Sequence, residues 1–91
     1  MQAIRYTGIA KKWFDKVGGN TYHSVRITRN KDNSVVKARA YGYDNQYKYT
    51  GILAMDKAGW NLKGIKGVND SAIAWHDMGY VLKRDMIAWS E

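Results

Sequence analysis

The sequence predicts a small α+β domain: a three-stranded antiparallel meander with one helix across a face, extended by a C-terminal strand and a short helix. Three observations carry this expectation. Thr21 to Thr28 and Ser34 to Tyr43 alternate with a period of two, turn-forming segments at Gly18-Gly19-Asn20 and Asn30-Lys31-Asp32-Asn33 punctuate the first half, and the residues after Asp44 change to a period of 3.6. The chain has 91 residues, 45% of them hydrophobic, which suits one domain over 1–91 with a modest core and argues against disorder.

Gln2 to Ile9 sets Ile4 and Tyr6 against Arg5 and Thr7 and reads as a first strand. Ala10 to Val17 extends that strand or forms a short helical turn; in both cases Trp13 and Phe14 are expected to anchor it to the core. Gly18-Gly19-Asn20 supplies the positive φ that a tight reversal needs, and in the second turn an asparagine can take the left-handed position. Between the turns, Val25, Ile27, Val36, Ala38 and Ala40 fall on one side of the pleat, joined by His23. Tyr22, Arg26, Lys37, Arg39, Tyr41 and Tyr43 fall on the other.

Asp44 is placed to cap a helix whose apolar positions are Tyr47, Gly51, Ala54, Met55 and Ala58, with Gly59 to stop it. Its other side mixes Tyr49, Ile52 and Leu53 with Asn45, Gln46, Asp56 and Lys57, as expected of a helix covered twice, by the C-terminal segment or by a second subunit. Trp60 to Asn69 has no period and reads as a loop. Ala72 to His76 is a candidate fourth strand; beyond it, Leu82, Met86 and Trp89 suit a last helical turn or two, with a hairpin through Gly79 as the rival.

Charge narrows the function classes. Residues 1–50 hold ten Lys/Arg against three Asp and residues 51–91 hold five against five acids, so the formal charge of +7 belongs to the first half. Clustered cations attract phosphate arrays and release condensed counterions. On an open sheet face, Arg26, Lys37 and Arg39 would reach phosphates while Tyr22, Tyr41 and Tyr43 offer rings for base stacking, a combination found in single-strand binders. A duplex read by a β-ribbon through Arg26 and Arg39 is the related alternative, with Lys11, Lys12 and Lys16 as phosphate contacts. The structural reading of the same residues is an ordinary solvated antiparallel face.

The chemistry of enzymes is not grouped in this sequence. There is no cysteine, His23 and His76 have no HExxH or carboxylate cluster beside them, and the glycine turn lacks the Lys-Ser/Thr of a phosphate loop. A non-enzymatic protein without cofactor or metal is therefore expected. The N-terminus has no signal-like apolar run and no stretch is long and apolar enough for a membrane span, so the expected compartment is the cytoplasm.

The segments AIRYTGIAKKWFDKV (3–17), GNTYHSVRITR (19–29), Tyr41-Gly42-Tyr43 followed by Tyr47 and AMDKAGW (54–60), and LKRD (82–85) resemble those of a group of small proteins encoded by phages and prophages. The resemblance implies a viral origin, hence the cytoplasm of an infected bacterium, and assigns no residue a role. Two functions fit it: a phage accessory protein that binds DNA or RNA through the tyrosine-rich face, or an anti-defence or host-takeover protein. The latter would bind a host bacterial protein complex, such as a nuclease, through Tyr49, Ile52, Leu53 and Trp89. A homodimer is compatible with either.

Overall fold

Alternation in the first half of the chain becomes two long hairpins. In the computed structural model, which describes residues 5–42, 44–62 and 65–91, strands β1 (Tyr6–Asp15), β2 (Asn20–Arg29) and β3 (Val35–Tyr41) pair antiparallel in sequence order. Residues 2–4 of the expected first strand and Tyr43 lie outside the described residues. At the first turn the Asp15 carboxylate accepts the amides of Val17 (3.0 Å) and Gly18 (3.2 Å), and Gly19 takes φ 70°. At the second, Asn33 takes the left-handed conformation at φ 60° while Arg29 and Asp32 form an ion pair across the reversal.

Ala10 to Asp15 is strand, not helical turn, and this corrects the expectation for the two aromatics. Neighbours on a pleated strand point to opposite faces, so Trp13 and Phe14 cannot both enter one core. Phe14 is 46% exposed, and Trp13 shares the face of its cross-strand partner Tyr22.

Helix α1 (Gln46–Lys57) crosses one face of the sheet and buries Tyr47, Gly51 and Met55 against Ala10, Val25 and Ile27. The expected cap is not there. Asp44 sits at φ 53° to turn the chain out of β3, whereas a capping residue needs extended backbone, and Asn45 precedes the helix without a side-chain cap bond. The far end is closed as expected: with Gly59 at φ 80°, the Trp60 amide donates to Met55 O and the Gly59 amide to Asp56 O, a Schellman motif whose apolar pair, Met55 and Trp60, joins the core.

Strand β4 (Ile73–Tyr80) runs past the expected His76 and pairs parallel with β1, giving a mixed sheet of order β3-β2-β1-β4. A helical crossover from one edge to the other returns the chain to the start of β1, and a strand laid down from there must run the same way. Trp75 packs where glycine leaves room on two sides: a Cβ on Gly8 would lie 2.4 Å from its ring and one on Gly51 2.8 Å from it. The indole N–H donates to Val68 O at 2.7 Å.

Val81 N–H donates to Lys12 O at 2.7 Å, and the chain then forms α2 (Lys83–Trp89), not a hairpin. This helix packs on the sheet face opposite α1, with Met86 3% exposed. The outer side of α1 is therefore not covered by the C-terminal segment; Tyr49 and Leu53 are each 60% exposed there. Among the described residues no helix is long and apolar enough to cross a membrane.

Candidate nucleic-acid interface

Cross-strand register gathers the sequence-predicted residues on the α2 side of the sheet. Tyr22 lies opposite Tyr41, Ser24 opposite Arg39 and Arg26 opposite Lys37. What the period of two could not show is that this face carries a helix. The Arg26 guanidinium donates through Nε to Trp89 O and through Nη2 to Ala88 O (3.3 Å), and lies 4.2 Å from the centre of the Trp89 indole. Lys11 Nζ is 4.3 Å from the same ring, whose N–H donates to Ile9 O at 3.1 Å, and Lys37 Nζ donates to Glu91 O at 2.5 Å. A helix ends in carbonyls without intrahelical partners and carries partial negative charge there, so cations on the strands beneath are its natural caps. Arg26 and Lys37 thus hold down the C-terminal end of α2, and the expected open face is open only at its other end.

That other end presents a row of rings across three strands. Trp13 and Tyr22 stack with centroids 5.8 Å apart and planes at 23°, and Tyr22 meets Tyr41 edge-on at 5.6 Å. Tyr41 is 60% exposed. Lys83, from the first turn of α2, places Nζ 5.1 Å over the Trp13 ring. Together with Arg39 and Met86 these side chains line an open groove of about 420 Å³. Asp15 also borders it, with Oδ1 accepting the Val17 and Gly18 amides of the turn. Flat rings beside two cations can stack bases and neutralise the adjoining phosphates.

The remaining sequence candidates are dispersed. Lys12 is not a surface cation: 7% exposed, it faces α1, where it pairs with Asp77 at 2.7 Å near the rings of Tyr47 and Tyr80. Burial pushes the Asp77 carboxyl up, but the Lys12 hydrogen bond and the Gly79 amide outweigh that and leave it below the usual carboxylate range. Lys16 is exposed in the first turn. His23, 1% exposed, has both ring nitrogens engaged, Nδ1 with Gly42 O at 3.0 Å and Nε2 with Thr50 Oγ1 at 2.5 Å. Burial lowers its pKa, aided by the charge of Lys12 and opposed by the Gly42 bond. His76 and Asp77 point to opposite faces of β4.

Tyr49, Ile52, Leu53 and Trp89 do not form one patch. Tyr49 and Leu53 lie on the outer side of α1, Ile52 packs against the core, and Trp89 sits beyond the sheet under Arg26. Sequence reasoning missed Trp13 and Lys83. Carrying the period of two from Ile9 through Lys11 would have put Trp13 beside Tyr22; Lys83 depends on where α2 docks, which no local pattern states. Comparison with protein-family models, with curated proteins and with solved structures gives no match for this chain.

Proposed function

We propose that this chain is a non-enzymatic phage accessory protein that binds single-stranded nucleic acid at the open end of its α2-side sheet face. The observation that supports this is the ring row Trp13, Tyr22 and Tyr41 with Arg39 and Lys83 beside it. Relative to the wider surface expected from the sequence, Tyr22, Arg39 and Tyr41 keep a binding role while Arg26 and Lys37 become supports for α2. A single strand suits the row better than a duplex, because stacking needs unpaired bases and Arg26, the expected guanine reader, is committed to Ala88 and Trp89.

The test is fluorescence anisotropy of labelled single-stranded DNA, RNA and duplex DNA at about 50 and about 200 mM salt, a range over which several phosphate contacts cost orders of magnitude in affinity. Tyr41→Ala should lose roughly 1–3 kcal/mol with a single strand. Arg39→Glu combined with Lys83→Glu should flatten the salt dependence by about two phosphate contacts. Absence of binding to all three probes at the lower salt refutes the reading. Tyr49 and Leu53, exposed one turn apart on α1, favour a second reading, an anti-defence protein that engages a host protein through that helix.

A further inference from the structure

The two edges of the sheet are built differently. β4 shifts register between the Ala10 and Lys12 pairings, an irregularity that discourages a further strand, whereas β3 pairs without interruption from Val35 to Tyr41. In an antiparallel ladder alternate residues turn their backbone groups inward. Arg29 N–H donates to Ser34 O and Gly42 N–H to Thr21 O, which fixes the phase: the N–H and C=O groups of Val35, Lys37, Arg39 and Tyr41 point away from β2. Among the described residues no turn, loop or cap bond reaches these groups.

Beside this edge runs a groove between β3 and α1. Its floor is made of small residues, Ala38, Ala40 and Ala54 with Thr50, and its outer lip is Leu53, 60% exposed. Lys37, Arg39 and Lys57 rim it, and among the described residues no acidic side chain lines it. An unpaired edge next to a helix-walled apolar slot is the arrangement that captures an extended peptide by strand addition, with the backbone ladder giving affinity and alternate side chains filling the slot.

We propose that β3 and α1 form a second binding site, for an extended acidic peptide segment of a partner protein that adds to β3 as a fifth strand. This goes beyond the nucleic-acid reading and does not depend on it. The basic rim selects the occupant. A second copy of the chain added antiparallel about Ala38 would set Lys37 directly across from the other copy's Arg39, a like-charge pairing that opposes self-addition. A peptide alternating glutamate with apolar residues meets both faces of the edge: carboxylates on the α2 side toward Lys37 and Arg39, and apolar side chains into the slot on the α1 side, where Lys57 adds to the attracting charge.

The probe is a fluorescein-labelled heptapeptide of alternating Glu and Val, titrated into the full chain, with backbone amide exchange followed residue by residue. Saturable binding is expected, with the amides of Lys37 and Arg39 slowed at least about tenfold by bound peptide. Lys57→Glu should weaken binding about tenfold and Leu53→Asp should abolish it. Lys37→Pro, which removes an outward N–H without touching the β2 ladder, should abolish binding where Lys37→Ala retains most of it. Failure of the wild-type chain to bind the peptide overturns the proposal. So does binding that protects no β3 amide, or that perturbs only Trp13 and Tyr22, which would place the peptide on the ring row. β3 amides already protected without peptide, with a dimer in sedimentation equilibrium, would assign the edge to self-association and overturn it equally.

Discussion

Gly51→Ala sets two ordinary effects against each other. In an exposed helix interior the substitution stabilises by about 0.8–1 kcal/mol, because alanine loses less backbone entropy on folding. Here a Cβ would lie 2.6 Å from Ile27 Cδ1 and 2.8 Å from the Trp75 ring, roughly an ångström inside ordinary carbon contact. Neither neighbour can retreat. Ile27 is fully buried, and Trp75 is held from below by Gly8 and at its edge by the hydrogen bond to Val68. The helix must lift instead, separating Tyr47 and Met55 from the sheet, and such overpacking costs about 1–3 kcal/mol. With two neighbours that cannot retreat the cost falls in the upper part of that range, about 2–3 kcal/mol, so the propensity gain loses, for a net destabilisation of about 1 to 2 kcal/mol. In a domain of this size that lowers the midpoint by about 5–15 °C. Thermal and urea unfolding followed by near-ultraviolet dichroism, with an unchanged m-value as the check on two-state behaviour, measures it. A midpoint equal to or above that of the parent would show that the helix–sheet spacing does not depend on Gly51.

Three further outcomes follow from the same structure. Gly8→Ala, with its Cβ 2.4 Å from the Trp75 ring on a strand that cannot move without breaking two ladders, should cost at least as much as Gly51→Ala, read by the same urea midpoints. Trp89→Ala removes the Ile9 hydrogen bond and the stacked contacts with Lys11 and Arg26 and should destabilise by about 2 kcal/mol, with exchange protection lost over 83–89 before the sheet; uniform loss across the chain would refute the separate docking of α2. His23 is held below its ordinary value, so between that lowered value and 6.5 the unfolded chain binds more protons than the folded one. Stability should fall as pH drops through that window, above the range where Asp70 and Asp77 contribute, and His23→Gln should flatten the slope; equal urea midpoints for the parent protein at pH 7.5 and about 5 would refute it.

Much of the first half was legible because its rules are local. The alternation in 21–28 and 34–41 sorts side chains to faces with no knowledge of the rest of the fold, and Gly19, Asn33 and Gly59 do at their turns what their residue types favour. Trp13 and Phe14 misled because hydrophobicity alone was read where strand phase decides. Asp44 misled because its residue type serves both as a helix cap and in the left-handed region. The partner of β4 depends on a crossover, and the docking of α2 depends on cations 45 or more positions earlier in the chain; neither is written in any window of sequence. For the candidate site, the same distance explains why Arg26 and Lys37 read as ligand contacts: their partners are backbone carbonyls, which leave no trace in composition.

The pairing of β1 with β4 also orders events during synthesis. The β1–β2 and β2–β3 hairpins close loops of a few residues, whereas β4 reaches β1 only across the connection of about 31 residues that follows β3, a closure that costs about 1.8 kcal/mol more than a four-residue one. At the growing chain's pace of about 5–20 residues per second, β1 waits several seconds with one edge bare after its own hairpin can form. In that interval the nascent sheet offers β1 as a template, and Gly8, lacking the Trp75 ring that later covers it, leaves the strand at its weakest there. A ribosome stalled before residue 73 should therefore hold an aggregation-prone three-stranded intermediate, and completion of the last two elements is what converts β1 from an edge into the interior of the sheet.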